Sequence, residues 1–217
     1  MKKIISLAAA AAMIFGAASC QKEITPGMEG DSKVTFSIEI PEDVATKADM
    51  SDGTTVDELV YEVYVGEDVM YEGYVGLSGT RQFSLELNLV TGQTYDLLFW
   101  AQKKGTGFYD TRNLKNVGIN YGDRISNDET RDAFFGSRLG FEPTGIATEE
   151  TIYLYRPFAQ VNFATSENDW NSASTFVNDG NKANRLKSSV VFDRLPSRFN
   201  VMAGDIVAGH YYNNVVF

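Results

Sequence analysis

The sequence contains one cysteine, Cys20, and its position gives the thiol a specific chemistry. Lys2 and Lys3 precede an apolar run, Ile4–Phe15, and small residues follow up to Ser19. This order of positive, apolar and small residues is typical of a secretory signal peptide. The apolar run is shorter than the about 20 residues that a helix needs to cross a membrane. We therefore expect cleavage after Ser19, which makes Cys20 the first residue of the mature chain.

The residues Ala17-Ala18-Ser19-Cys20 resemble a bacterial lipobox, whose cysteine is acylated by groups such as palmitate. An ordinary signal peptide that leaves a stray thiol is the alternative. One acyl chain anchors a protein only marginally, whereas several chains hold it firmly. Gln21-Lys22-Glu23 resembles the tag that follows the lipidated cysteine of surface-exported Bacteroidetes lipoproteins. We expect outer-membrane lipid to hold the protein through Cys20 and to leave it exposed at the cell surface.

Few other residues could carry out chemistry. His210 is the only histidine, so a Ser-His-Asp triad has no other candidate base. We interpret His210 as a surface residue at a strand end. One histidine and no free cysteine give too few ligands for a zinc site. Nothing distinguishes a catalytic pair among the 29 acidic residues, although a glycosidase pair stays an open alternative. We predict no enzyme activity, no metal and no cofactor.

The charge and aromatic content limit the class of partner. The formal net charge of −10 argues against nucleic acid, which selects clustered Lys and Arg. With Cys20 acylated no disulfide can form, so stability must come from core burial. The 14 Phe, 11 Tyr and 2 Trp residues can supply that core.

The sequence predicts strands separated by turns. Val34–Ile40 and Phe83–Leu89 alternate apolar and polar residues without a fault, which predicts half-buried strands. Val56–Val65 and Val69–Val75 predict a hairpin. Tyr95–Ala101 is apolar on both faces in its middle, so we expect a central strand covered on both sides. These patterns are typical of an all-β sandwich.

The second half of the chain is patterned more weakly. Ser126 and Glu129 have the spacing of a capping box, which predicts a short helix through Phe135 that Gly136 ends. Further strands are expected at Thr151–Tyr155, Ala159–Phe163, Val190–Leu195, Phe199–Met202 and Tyr211–Phe217. The apolar end at Phe217 leaves open whether the C-terminus is complete.

We predict four regions. Residues 1–19 are a signal peptide and residues 20–32 a lipidated linker. Residues 33–165 form an N-terminal β-sandwich domain. Residues 166–217 contain a loop and then either the start of a second β domain or the completion of the sandwich.

Several segments together resemble, in family order, the fimbrillin-like (type V pilin-related) surface lipoproteins of Bacteroidales. They are Ala45–Ala48, Val56–Tyr61, Gly92–Gln102, Asn127–Phe135 and Arg156–Phe163. The resemblance implies a transthyretin-like β-sandwich of about seven or more antiparallel strands, behind a lipoprotein signal peptide. It also implies other pilin-like subunits as partners.

The resemblance gives Lys47 a role beyond that of a solvated loop lysine. In type V pilins a trypsin-like protease cuts after a basic residue in the loop that follows the first strand. Loss of the strand opens a groove, which a strand of a neighbouring subunit fills. The core-facing residues of the removable strand are Val34, Phe36, Ile38 and Ile40. A possible donor strand contains Tyr211, Val215, Val216 and Phe217.

The sequence therefore favours a fimbrial (pilus) or adhesin-like structural subunit of the cell surface, which serves cell adhesion. The alternative is a glycan-binding surface lipoprotein of a nutrient-uptake system, with host or microbial surface glycans as ligands. Trp170, in an Asn- and Ser-rich loop, could stack on a sugar or could be a buried anchor.

Overall fold

The computed structural model describes residues 20–23, 31–41, 53–79, 81–122, 128–159, 166–169 and 189–217. The predicted signal peptide with Ser19, the predicted cleavage site at Lys47, and Trp170 lie outside these residues. The strands are β1 (Cys20–Glu23), β2 (Ser32–Glu39), β3 (Glu58–Val65), β4 (Asp68–Gly79), β5 (Gln82–Leu89), β6 (Tyr95–Gln102), β7 (Tyr109–Asp110), β8 (Val117–Ile119), β9 (Ala133–Phe141), β10 (Thr148–Tyr153), β11 (Val191–Phe192), β12 (Leu195–Pro196), β13 (Arg198–Asn200), β14 (Asp205–Ile206), β15 (Tyr211–Tyr212) and β16 (Val215–Val216). Leu114–Asn116 and Glu129–Arg131 are 3₁₀ turns, and residues 167–169 are helical.

The two alternating segments form the strands that the pattern predicts. In β2 the side chains of Val34, Phe36 and Ile38 are fully buried, and the residues between them are partly exposed. β5 alternates in the same way, with its apolar residues inward. Successive side chains of a strand point to opposite faces, so both strands place one apolar face on the core.

Two layers of sheet enclose that core, and β4 runs through both. Its first part pairs with β3, and after a register shift Leu77 and Gly79 pair with β5. One layer contains β4, β3, β6 and β9, with β1 on the other edge of β4, and the second contains β4, β5, β2 and β10. Phe135 and Tyr155 exchange two backbone hydrogen bonds of 2.8 Å. This bridge joins the far ends of the two layers.

The prediction of an all-β sandwich is confirmed. The strand pairs are antiparallel except for β10 and β2, which run parallel. Aromatic rings fill the space between the layers: the Phe36 ring lies 6.3 Å from that of Phe99 and 5.5 Å from that of Phe141, between centroids. No described helix has the length and apolarity needed to cross a membrane.

β6 is the central strand that the sequence predicts. It lies between β3 and β9, with Leu97 and Phe99 in the core between the layers. Leu98 and Trp100 point to the outer face, and they are fully buried too. A strand that is apolar on both faces requires cover on both sides.

A smaller sheet of β7, β8, β13 and β14 covers that outer face. The Trp100 ring contacts Tyr109 on β7 and Phe199 on β13, at centroid distances of 5.1 and 5.9 Å. Leu114, on a 3₁₀ turn, is also buried there. Segments that are about 80 residues apart in sequence therefore form one outer core.

The predicted short helix through Phe135 is wrong. The structure has a 3₁₀ turn at Glu129–Arg131, capped by the Asp128 side chain, which accepts from the Thr130 N–H. β9 then begins at Ala133. Gly136 lies inside β9 and ends no helix; a Cβ there would approach Leu154 Cδ2 to 2.8 Å, so its role is close packing.

Candidate functional site

β2 lies inside its layer, with a partner strand on each edge. It pairs antiparallel with β5, where Val34 faces Leu87, and parallel with β10, where Val34 faces Thr148. Its outward residues are held only at the surface, as in the exposed Lys33–Glu86 ion pair of 2.8 Å. The inward residues named above, together with Ile40, are buried. Removal of β2 would leave an apolar groove with an unpaired edge on either side.

Residues on both sides of the segment that contains Lys47 are anchored by hydrogen bonds. At the near end the Ile40 N–H donates to a carbonyl of the β4–β5 turn at 2.9 Å. At the far end the Gly53 N–H donates to Asp132 Oδ2 at 2.9 Å. Gly53 has φ +79°, and a Cβ there would lie 2.9 Å from Phe134 Cζ, so the position requires glycine. Lys47 belongs to the segment between these anchors.

The far anchor is part of a buried ion pair. Asp132 Oδ1 accepts from Arg156 Nη1 at 3.0 Å, with 7% of the Asp132 side chain exposed and 19% of that of Arg156. The Arg156 guanidinium also lies over the Phe134 ring, 4.6 Å from its centroid. Asp132 and Arg156 come from two of the segments that carry the sequence resemblance. Those segments therefore meet in space, where Asp132 binds the Gly53 N–H.

The predicted donor residues occupy existing strands. Tyr211 is in β15, which pairs with β12, and Val215 and Val216 form β16, which pairs with β11. Val215 is buried, and the Phe217 ring contacts that of Tyr121 at 6.1 Å. Use of this segment as a donor would require these pairs to open.

A buried carboxylate on the outer face of β3 was not singled out in the sequence. Glu62 Oε2 accepts from Tyr64 Oη at 2.5 Å and from the Leu114 N–H at 2.9 Å. Burial raises the pKa of Glu62, although both hydrogen bonds oppose the shift. The only signal was an acidic residue at an outward position of a largely apolar strand. Its position indicates a structural role, because it fixes the 3₁₀ turn that carries Leu114.

A polar cleft of about 610 Å³ opens on the small sheet. Asp110 accepts from Arg112 through both of its oxygens, at 2.8 Å from Nε and 2.7 Å from Nη2. This guanidinium lowers the pKa of Asp110 to about 2. His210, at the cleft rim just before β15, is exposed. Among the described residues no three His, Cys, Asp or Glu side chains come together as a metal site.

Two solved structures resemble the fold. One is a fimbrilin (fimA) from Porphyromonas gingivalis W83, with 13% identity and a TM-score of 0.48, covering 83% of this chain and 54% of that chain. The other, from Bacteroides thetaiotaomicron VPI-5482, is described as "putative polysaccharide binding proteins (DUF1812)". It has 17% identity and a TM-score of 0.38, and the match covers 58% of this chain and 46% of that chain. The chain thus spans about half the length of each.

No curated protein matches the sequence. One family model does match, over residues 26–217, which is most of the chain. The protein therefore belongs to DUF6562, a family of unknown function.

Proposed function

We propose that the protein is a structural subunit of fimbrial or adhesin type, without enzyme activity, held at the outer membrane by lipid on Cys20. The observation that carries this proposal is the position of β2, a core strand, with anchors at Ile40 and Gly53 on either side of the segment that contains Lys47. The sequence resemblance to fimbrillin-like lipoproteins supplies the functional meaning of that position. In this proposal a protease cuts after Lys47, β2 leaves, and a strand of another subunit takes its place.

The burial of β2 determines how such an exchange must proceed. Each of its four inward apolar side chains contributes about 1.5–3 kcal/mol, or about 6–12 kcal/mol together, as an upper estimate. A whole domain is stable by only about 5–15 kcal/mol. Cleavage alone therefore does not release β2, because the emptied groove would unfold the domain. Release must be coupled to the entry of the replacing strand.

The replacing strand must match the pattern of β2. Alternate residues have to be apolar over about seven positions, because the groove buries every second side chain. If the C-terminal segment were fully extended, Tyr211, Val215 and Phe217 would share one face, with Asn213 between them. This segment therefore fits the groove at three of four positions.

The test is limited trypsin-like digestion of the mature protein, followed by mass spectrometry and native sizing. We expect cleavage after Lys47, slow loss of the fragment that contains β2, and ladders of oligomers. Lys47→Gln should keep β2 and stay a monomer. Lys22→Gln, which removes a basic site on the other side of β2, should behave as the wild type. A cleaved protein that stays monomeric and keeps β2 would contradict the proposal.

A further inference from the structure

The polar cleft introduced above is built where three short strands meet side by side. In the small sheet Asp110 of β7 pairs with Gly118 of β8, and Gly118 pairs with Arg198 of β13. Asp110 and Arg198 therefore flank a position that has no side chain. Asn120, His210 and Tyr212 complete the polar lining. The volume of about 610 Å³ falls within the range of about 300–1,000 Å³ that is usual for small-ligand sites.

Gly118 shapes the cleft because it has no side chain. A Cβ at this position would lie 2.7 Å from Arg198 Nη1 and 3.0 Å from Asp110 Cβ. The Arg198 guanidinium therefore lies across the strand, in the space that any other residue would fill. The φ angle of Gly118 is outside the left-handed region, so the backbone itself does not require glycine. A side chain at this position would instead displace the guanidinium and crowd Asp110 Cβ.

The cleft carries an unbalanced positive charge. Arg112 takes up both oxygens of Asp110. Arg198 acts on Asp110 only at longer range, and its side chain makes no hydrogen bond or ion pair with any described residue. Two guanidinium groups thus face one carboxylate, in a chain whose net charge is −10. A planar guanidinium suits a carboxylate, which it binds through two parallel hydrogen bonds.

We propose that this cleft binds a saccharide that carries a carboxylate, such as a uronic acid, with Arg198 holding the carboxylate. His210 supplies a polar group for sugar hydroxyls, and the exposed Tyr212 ring supplies a face for the sugar ring. The Asp110–Arg112 pair positions one wall of the cleft. The proposal goes beyond the structural role proposed above, because binding at the cleft requires neither cleavage nor strand exchange.

The experiment is calorimetric titration of the intact mature protein with trigalacturonic acid and, separately, with its methyl ester. The ester keeps the sugar rings and removes the charge. We expect the acid to bind with a Kd below about 1 mM. The ester should bind at least tenfold more weakly. Equal binding of acid and ester, or no binding of either, would overturn the proposal.

Variants identify the residue that recognises the charge. Arg198→Gln should weaken binding of the acid at least tenfold, and Arg81→Gln, outside the cleft, should leave it unchanged. Gly118→Ala keeps the charge but displaces the guanidinium, so it should weaken binding as well, and thermal melting checks that each variant is folded. Retained affinity in a folded Arg198→Gln or Gly118→Ala protein would refute the assignment. If triglutamate binds as tightly as trigalacturonic acid, the ligand of the cleft is an acidic peptide and not a saccharide.

Discussion

Neutralising Asp132 should destabilise the protein, because it removes the negative charge that lies 3.0 Å from the Arg156 guanidinium. Removal of one partner of a buried ion pair costs about 3–5 kcal/mol. Arg156 keeps 19% of its side chain exposed and stacks on Phe134, so we expect the lower end for Asp132→Asn, about 3 kcal/mol. For a domain of this size the melting temperature changes by about 2–4 °C per kcal/mol. The expected decrease is therefore about 6–12 °C.

The assay is thermal and urea denaturation of the purified mature protein. Glu86→Gln is the matched control: it also removes one acidic partner of an ion pair, but that pair is more than half exposed. Exposed pairs contribute about 0–1 kcal/mol, so the control should unfold close to the wild type. If Asp132→Asn is no less stable than Glu86→Gln, the contacts of Asp132 with Gly53 and Arg156 do not stabilise the fold.

Further predictions concern the core, the buried carboxylate, the packed glycine and the lipid anchor. Phe36→Ala should cost about 3–5 kcal/mol in urea denaturation, because it empties the centre of the groove; a loss under 1 kcal/mol would mean that β2 is not held by the core. Burial raises the pKa of the Glu62 carboxyl group in the folded state. The protonated Glu62 side chain therefore stabilises the fold at pH values below the unfolded pKa of about 4.3, and this contribution is lost as the pH rises through the folded pKa. Glu62→Gln should therefore flatten this part of the pH profile of unfolding, whereas Glu62→Ala should cost about 1–3 kcal/mol by leaving the N–H of the 3₁₀ turn unpaired; identical profiles for wild type and Glu62→Gln would contradict this. Gly136→Ala should lower the melting temperature, because the methyl group meets Leu154, and an unchanged temperature would show that the neighbours relax freely. Cys20→Ser should move the protein from the membrane fraction to the soluble fraction; a variant that stays in the membrane fraction would contradict anchoring through Cys20.

Local patterns in the sequence predicted the strands whose alternation is complete. β2 and β5 alternate in sequence because one face of each lies on the core, and β6 is apolar on both faces because the small sheet covers its outer side. The pattern does not say which strand lies beside which. The parallel pairing of β10 with β2 joins segments that are more than 100 residues apart.

The candidate sites depend on such distant pairings. In the sequence, Asp132 is one of many acidic residues. Its role is visible only in the structure, where it contacts Gly53 and Arg156. Asp110 and Arg198 meet only through their pairing with Gly118. The helix prediction failed for a related reason. Ser126 has the spacing of a capping box, which favours a helix. The residues from Ala133 onward instead pair with β6, and no local pattern reveals this partner.

The bridge between Phe135 and Tyr155 affects the geometry of any assembly that forms by strand exchange. Because the bridge joins the ends of the two layers, β10 stays in place when β2 is lost. The loss of β2 therefore opens a gap between β5 and β10 and does not remove an edge strand. Neighbouring strands lie about 4.7–4.9 Å apart, so the gap between β5 and β10 is about 9–10 Å wide. It admits one strand, antiparallel to β5 and parallel to β10 as β2 is. Each subunit would accept one neighbour in one direction, and a head-to-tail contact of this kind that does not close produces an unbranched, polar filament.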